Sequence, residues 1–77
     1  MKLNVVSPKG VICSTETWSV TFPGSEGSFT VLRNHAPIMA MLEKGDIVYR
    51  TEDQEYRIAV EKGVVNVSHN VIDVCVE

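Results

Sequence analysis

Thr17-Trp18-Ser19-Val20-Thr21-Phe22 runs straight into Pro23-Gly24-Ser25-Glu26-Gly27-Ser28-Phe29, and His35-Ala36-Pro37 follows a few residues later. The first six residues alternate at period two. That is the pattern of a half-buried strand, and it places Trp18, Val20 and Phe22 on one face. Pro23 cannot donate to a ladder, and Gly24 and Gly27 are free to take positive φ, so the chain reverses there. A second short strand, Ser28 to Leu32, leaves the turn. Arg33-Asn34-His35 then reads as a loop in which Asn34 suits a left-handed conformation.

The same period continues on both sides. Leu3 and Val5 share a face before the turn Ser7-Pro8-Lys9-Gly10, and Val11-Ile12-Cys13 follows it. Downstream, Ile47 and Tyr49 alternate toward an acidic hairpin loop, Thr51-Glu52-Asp53-Gln54. Tyr56, Ile58 and Val60 alternate out of that loop. Val65 and Val67 lead to a last turn at Ser68-His69-Asn70, and Ile72, Val74 and Val76 finish the pattern. About nine or ten short strands, with turn chemistry between them, predict an all-β fold, a small antiparallel β-sandwich of two packed sheets. Trp18, Val20, Phe22, Tyr56, Ile58, Val65, Val67, Ile72 and Val74 are its expected buried residues.

Size and composition narrow the function. The chain has 77 residues, which is room for a single domain over 1–77. A domain of this length buries roughly 60% of the surface that its unfolded chain exposes, so the core is thin. The net charge of −3 and scattered basic residues argue against nucleic acid, whose binding depends on Lys and Arg meeting phosphates. No apolar run is long enough to cross a bilayer as a helix, and no signal-peptide pattern opens the chain. We therefore expect no direct membrane insertion and a location inside the cell or an organelle.

Cys13 and Cys75 lack the Cys-x-x-Cys or histidine spacing of a zinc site. They read as reduced thiols, with a disulfide between neighbouring end strands as the alternative. His35 and His69 offer no nucleophile pair with either cysteine, and no phosphate-binding, metalloprotease or nucleophile-elbow motif is present. No catalytic residue, cofactor or bound nucleotide is expected.

The opening Leu3-Asn4-Val5-Val6-Ser7-Pro8, the Pro-Gly-Ser-Glu-Gly turn, the His-Ala-Pro, Gly45 and Gly63-Val64-Val65 occur in an order and spacing that resembles the epsilon subunit of F-type ATP synthases. The resemblance is to its N-terminal β-sandwich and covers nearly the whole chain. It settles one ambiguity. Ala36-Pro37-Ile38-Met39-Ala40-Met41-Leu42 is rich in helix formers, but the segment is short for a helix. The resemblance implies an extended strand there instead.

By resemblance, the chain is a non-catalytic rotor subunit of the central stalk. It would link the gamma subunit to the c-ring and help couple ion flow to ATP synthesis, on the cytoplasmic face of the inner (plasma) membrane. The gamma side would comprise His35, Ala36, Pro37, Met39, Ala40 and Met41. The c-ring side would comprise Ser7, Ser25, Glu26 and Ser28, on a separate side of the wedge. From the residues alone, Glu26 reads as a solvated turn residue, His35 as a loop residue, and Met39 and Met41 as ordinary core. An alternating strand turns only one parity inward, so a segment apolar on both faces is either central or covered by a partner. We favour the partner. The chain has Ser28 where the family often carries a second acid, Arg33-Asn34 where it more often has Pro-Gly, and Glu61-Lys62-Gly63 where it often has Ser-Gly-Gly. Longer members of the family continue into two helices that can block ATP hydrolysis and, in some, bind ATP. With Val76-Glu77 ending the sequence, the expectation is a subunit without that latch. A generic β-sandwich module for ligands or proteins is the alternative reading.

Overall fold

The computed structural model describes residues 1–77. Nine strands follow in order: β1 (Lys2–Ser7), β2 (Gly10–Glu16), β3 (Ser19–Phe22), β4 (Phe29–Leu32), β5 (Ile38–Leu42), β6 (Gly45–Arg50), β7 (Glu55–Val60), β8 (Gly63–Ser68) and β9 (Val71–Val76). They form a five-stranded sheet, β2-β1-β9-β8-β5, and a four-stranded sheet, β4-β3-β6-β7. The expected all-β sandwich is what the chain forms. All neighbours pair antiparallel except β1 and β9, which lie parallel with Leu3 opposite Ile72 and Val5 opposite Val74.

The alternation read from the sequence becomes the core. Leu3, Val5, Val20, Phe22, Val31, Ile47, Val65, Val67, Ile72 and Val74 point between the sheets and are essentially inaccessible to water. Phe22 packs on Phe29 with ring centroids 5.4 Å apart. Each fully buried side chain of this size contributes roughly 1.5–3 kcal/mol relative to exposure. The β8–β9 connection has only two central residues, His69 and Asn70, both at positive φ. This is the requirement of a type I′ turn, whose twist matches that of the strands it joins.

Three expectations fail in detail. Trp18 is 65% exposed, because β3 starts at Ser19 and the residues before it bend. Thr17 takes the inward place: its Oγ1 donates to the Ser19 carbonyl at 3.0 Å, and its amide donates to the Met1 carbonyl at 2.8 Å. That bend interrupts the alternation and turns the indole outward. Tyr56 is exposed and Ile58 only half-buried, because β7 is an edge strand. Tyr56 closes the open flank by stacking on Tyr49 at 5.0 Å. Gly24 is not at positive φ. It is glycine because a Cβ there would lie 2.6 Å from the Gly27 carbonyl oxygen and 2.9 Å from the Phe29 ring. Gly27, at φ 126°, does use the left-handed side.

Candidate partner-binding surface

β5 is the edge strand in question. It pairs only with β8, from Ile38 opposite Val67 to Leu42 opposite Gly63. Its inward parity is Ile38, Ala40 and Leu42, of which Leu42 alone is buried. Its outward parity is Met39 and Met41, 71% and 61% exposed. Flexible, polarizable side chains left in water on an edge strand suit an irregular partner surface better than a core.

The Pro23–Phe29 turn folds against the far end of this strand. Gly24 bridges to Leu42, and the Glu43 amide donates to the Pro23 carbonyl at 2.9 Å. Between the turn and the strand lies an open groove of about 670 Å³, lined by Gly24–Phe29 and Ile38–Met41. The groove therefore brings Ser25, Glu26 and Ser28 together with Met39, Ala40 and Met41. The two sets, expected on separate sides, adjoin. Glu26 is exposed, with its carboxylate in no ion pair.

The remaining predicted residues lie further off. Ala36 and Pro37 are exposed beside a half-buried His35, whose Nδ1 donates to the Ala36 carbonyl at 2.7 Å. Ser7 sits at the same end of the sandwich as Leu42, where β1 and β9 finish. It is three strands across from β5, a lateral separation of roughly 14 Å.

A further part of this surface escaped the sequence. On the outer face of the five-stranded sheet, the registers align Val11, Val6, Cys75, Val64 and Met41 in one row across every strand. All five are apolar or thiol, and Val11 is 70% exposed. The next row on this face is polar from β2 to β8 and ends at Met39 on β5: Ser14 Oγ donates to Asn4 Oδ1 at 2.8 Å, and Asn4 Nδ2 to Asp73 Oδ1 at 3.0 Å. The outer face of the four-stranded sheet is charged, with Arg50 paired to Glu55 at 3.2 Å and Arg57 to Asp46 at 3.6 Å. One face of the molecule thus carries an apolar row, and it meets the groove at Met41.

Cys13 faces inward beside Tyr49, with Sγ 3.5 Å from the phenol oxygen, whereas Cys75 faces outward beyond β1. The two cysteines cannot bridge. His69 bonds to its neighbour Ser68 at 2.9 Å. No group of three or more His, Cys, Asp or Glu side chains is placed to hold a metal ion.

Residues 1–77 match the family model described as ATP synthase, Delta/Epsilon chain, beta-sandwich domain. The chain belongs to that family. Among curated members of the Delta/Epsilon family, the ATP synthase epsilon chain of a Sulfurovum species is 44% identical over 68 residues, covering 87% of this chain and 53% of the relative. That of a Nitratiruptor species is 41% identical over 78 residues, covering 100% of this chain and 60% of the relative. The chain spans little more than half the length of the curated epsilon chains it matches. In a structure of the Tetrahymena thermophila mitochondrial ATP synthase central stalk and c-ring, one chain superposes with a TM-score of 0.83 at 16% identity, covering 99% of this chain and 62% of that one. A chain of the Euglena gracilis mitochondrial ATP synthase superposes with a TM-score of 0.89 at 21% identity, covering 96% and 48%. These structural likenesses establish the shared sandwich fold.

Proposed function

We propose that this domain is a non-catalytic central-stalk element of an F-type ATP synthase, joining gamma to the c-ring and helping to couple ion translocation to ATP synthesis. The observation that carries the reading is the continuity at Met41 between an exposed apolar edge and an acid-bearing turn, on one flank of a rigid sandwich. Gamma covers the apolar part, Met39, Met41 and the outer row. The turn with Glu26, exposed and unpaired, faces the polar loops of the c-ring, where a carboxylate complements basic side chains. Ser7 lies at the same end of the sandwich and belongs to that second contact. The domain is then a peripheral part of a membrane-bound complex, on its cytoplasmic face.

A sandwich suits this work because both sheets share one packed interior, which transmits force without yielding. The test is reconstitution with gamma. Met39→Asp and Met41→Asp each place a charge on the exposed edge, and both are expected to abolish co-purification with gamma while leaving the melting temperature within about 4 °C of the parent, as for surface substitutions. Undiminished gamma binding by both variants would overturn the reading.

A further inference from the structure

Asn34 and Asn70 both have left-handed backbones, at φ 64° and 62°, and they hold each other. The Asn34 amide donates to Asn70 Oδ1 at 2.7 Å, and Asn70 Nδ2 donates to Asn34 Oδ1 at 3.1 Å. The two residues occupy very different surroundings. Asn70 is anchored from behind: it sits in the tight β8–β9 turn, and its carbonyl accepts the Lys2 amide at 2.9 Å, at the start of the parallel β1–β9 pairing. Asn34 lies in no strand, on the connection that crosses from the four-stranded sheet to the five-stranded one.

Little else restrains that connection. The His35 amide donates to the Leu32 carbonyl at 3.1 Å, a contact within the turn itself, and the His35 ring bonds to the adjacent Ala36. Pro37 has no amide to donate. Both side-chain hydrogen bonds that tie Arg33–Pro37 to another element go to Asn70. Asn tolerates the left-handed region because its short amide can bond locally, and here the bond reaches across the fold.

We propose that Asn70 is a positioning residue for the partner-facing loop: acting through Asn34, it fixes the path of Arg33–Pro37 and the pose in which His35 and the start of β5 meet gamma. The inference rests on the reading of that loop as part of the gamma surface. Asn70 lies outside that surface, so it acts on binding only by what it does to the loop.

The experiment pairs two substitutions in the subunit carrying this domain. Asn70→Gly keeps the turn's backbone conformation and removes both clasp bonds. Asn70→Asp keeps the acceptor for the Asn34 amide. Amide hydrogen exchange at Asn34 and His35, which needs no partner, is expected to accelerate roughly tenfold in Asn70→Gly, the worth of about one net hydrogen bond, and to return toward the parent rate in Asn70→Asp. Affinity for gamma is expected to follow the same order. Unchanged exchange at Asn34 in Asn70→Gly overturns the proposal, and so does faster exchange with parental gamma affinity. If the parent itself does not bind gamma, the functional reading fails, and the exchange measurements alone decide whether Asn70 orders the loop.

Discussion

The backbone amide of Ser25 donates to the carbonyl of Met41 at 2.9 Å, which ties the acidic turn to the exposed edge strand as one body. The neighbouring Gly24 has no space for a side chain, being 2.6 Å from the Gly27 carbonyl oxygen and 2.9 Å from the Phe29 ring at the Cβ position. Gly24→Ala is expected to cost about 1–3 kcal/mol through overpacking. In a domain of this size each kcal/mol lowers the melting temperature by roughly 4–8 °C. Thermal unfolding followed by circular dichroism checks it. An unchanged midpoint would mean that the turn yields freely.

Trp18 and Phe22, read from the sequence as equals, should behave as opposites. Phe22→Ala empties a fully buried site and is expected to cost about 3–5 kcal/mol. Trp18→Ala removes an exposed ring and is expected to stay within about 0.5 kcal/mol. Trp18 is the sole tryptophan, so the intrinsic emission of the folded protein should already lie near that of the denatured chain. A large blue shift on folding would contradict the outward indole.

Tyr49 supplies a pH signature. The Cys13 side chain beside it, with burial second, pushes its phenol up to about 12. In the unfolded chain the same phenol titrates near its ordinary value of about 10. The unfolded state therefore loses its proton first, and the contribution of Tyr49 to stability is whole below pH ~10 and is lost between there and pH ~12. Spectrophotometric titration should show the Tyr49 phenol ionising late, at about 12. Cys13→Ala should bring the late titration down, and no change on that substitution would refute the cause.

Glu26 stands at the rim of the groove, where charges act more on encounter than on residence. Glu26→Lys is expected to slow association with the c-ring several-fold at low salt and to flatten its salt dependence, with little change in stability. Stopped-flow mixing across a salt series measures this. Association that ignores both the substitution and the salt would exclude Glu26 from the contact.

These residues show what was legible in the sequence. Period-two alternation located the strands because one face of each is buried, and His69 and Asn70 announced their turn through residues that accept positive φ. Alternation alone misplaces Trp18 because it passes over Thr17, whose hydroxyl bonds forward to the Ser19 carbonyl where the chain bends. The strand Ile38–Leu42 ran against the helix propensity of Ala, Met and Leu, and pairing with β8 overruled it. The row from Val11 to Met41 could not be read at all. It exists only once strand order is known, and that order places residues from both ends of the chain side by side.

That parallel pairing of β1 with β9 also governs how the molecule comes into being. β9 lies at the centre of the five-stranded sheet, between the first strand and the eighth, so the sheet is two separate hairpin-like halves until Val71–Val76 arrives. Joining them closes a loop from Lys2 to Val71, and such a contact is entropically costly before it is rewarded. The expected kinetics are those of a high-contact-order domain, milliseconds to seconds rather than microseconds. During synthesis, the strands before β9 cannot complete the sandwich until β9 is available to join them.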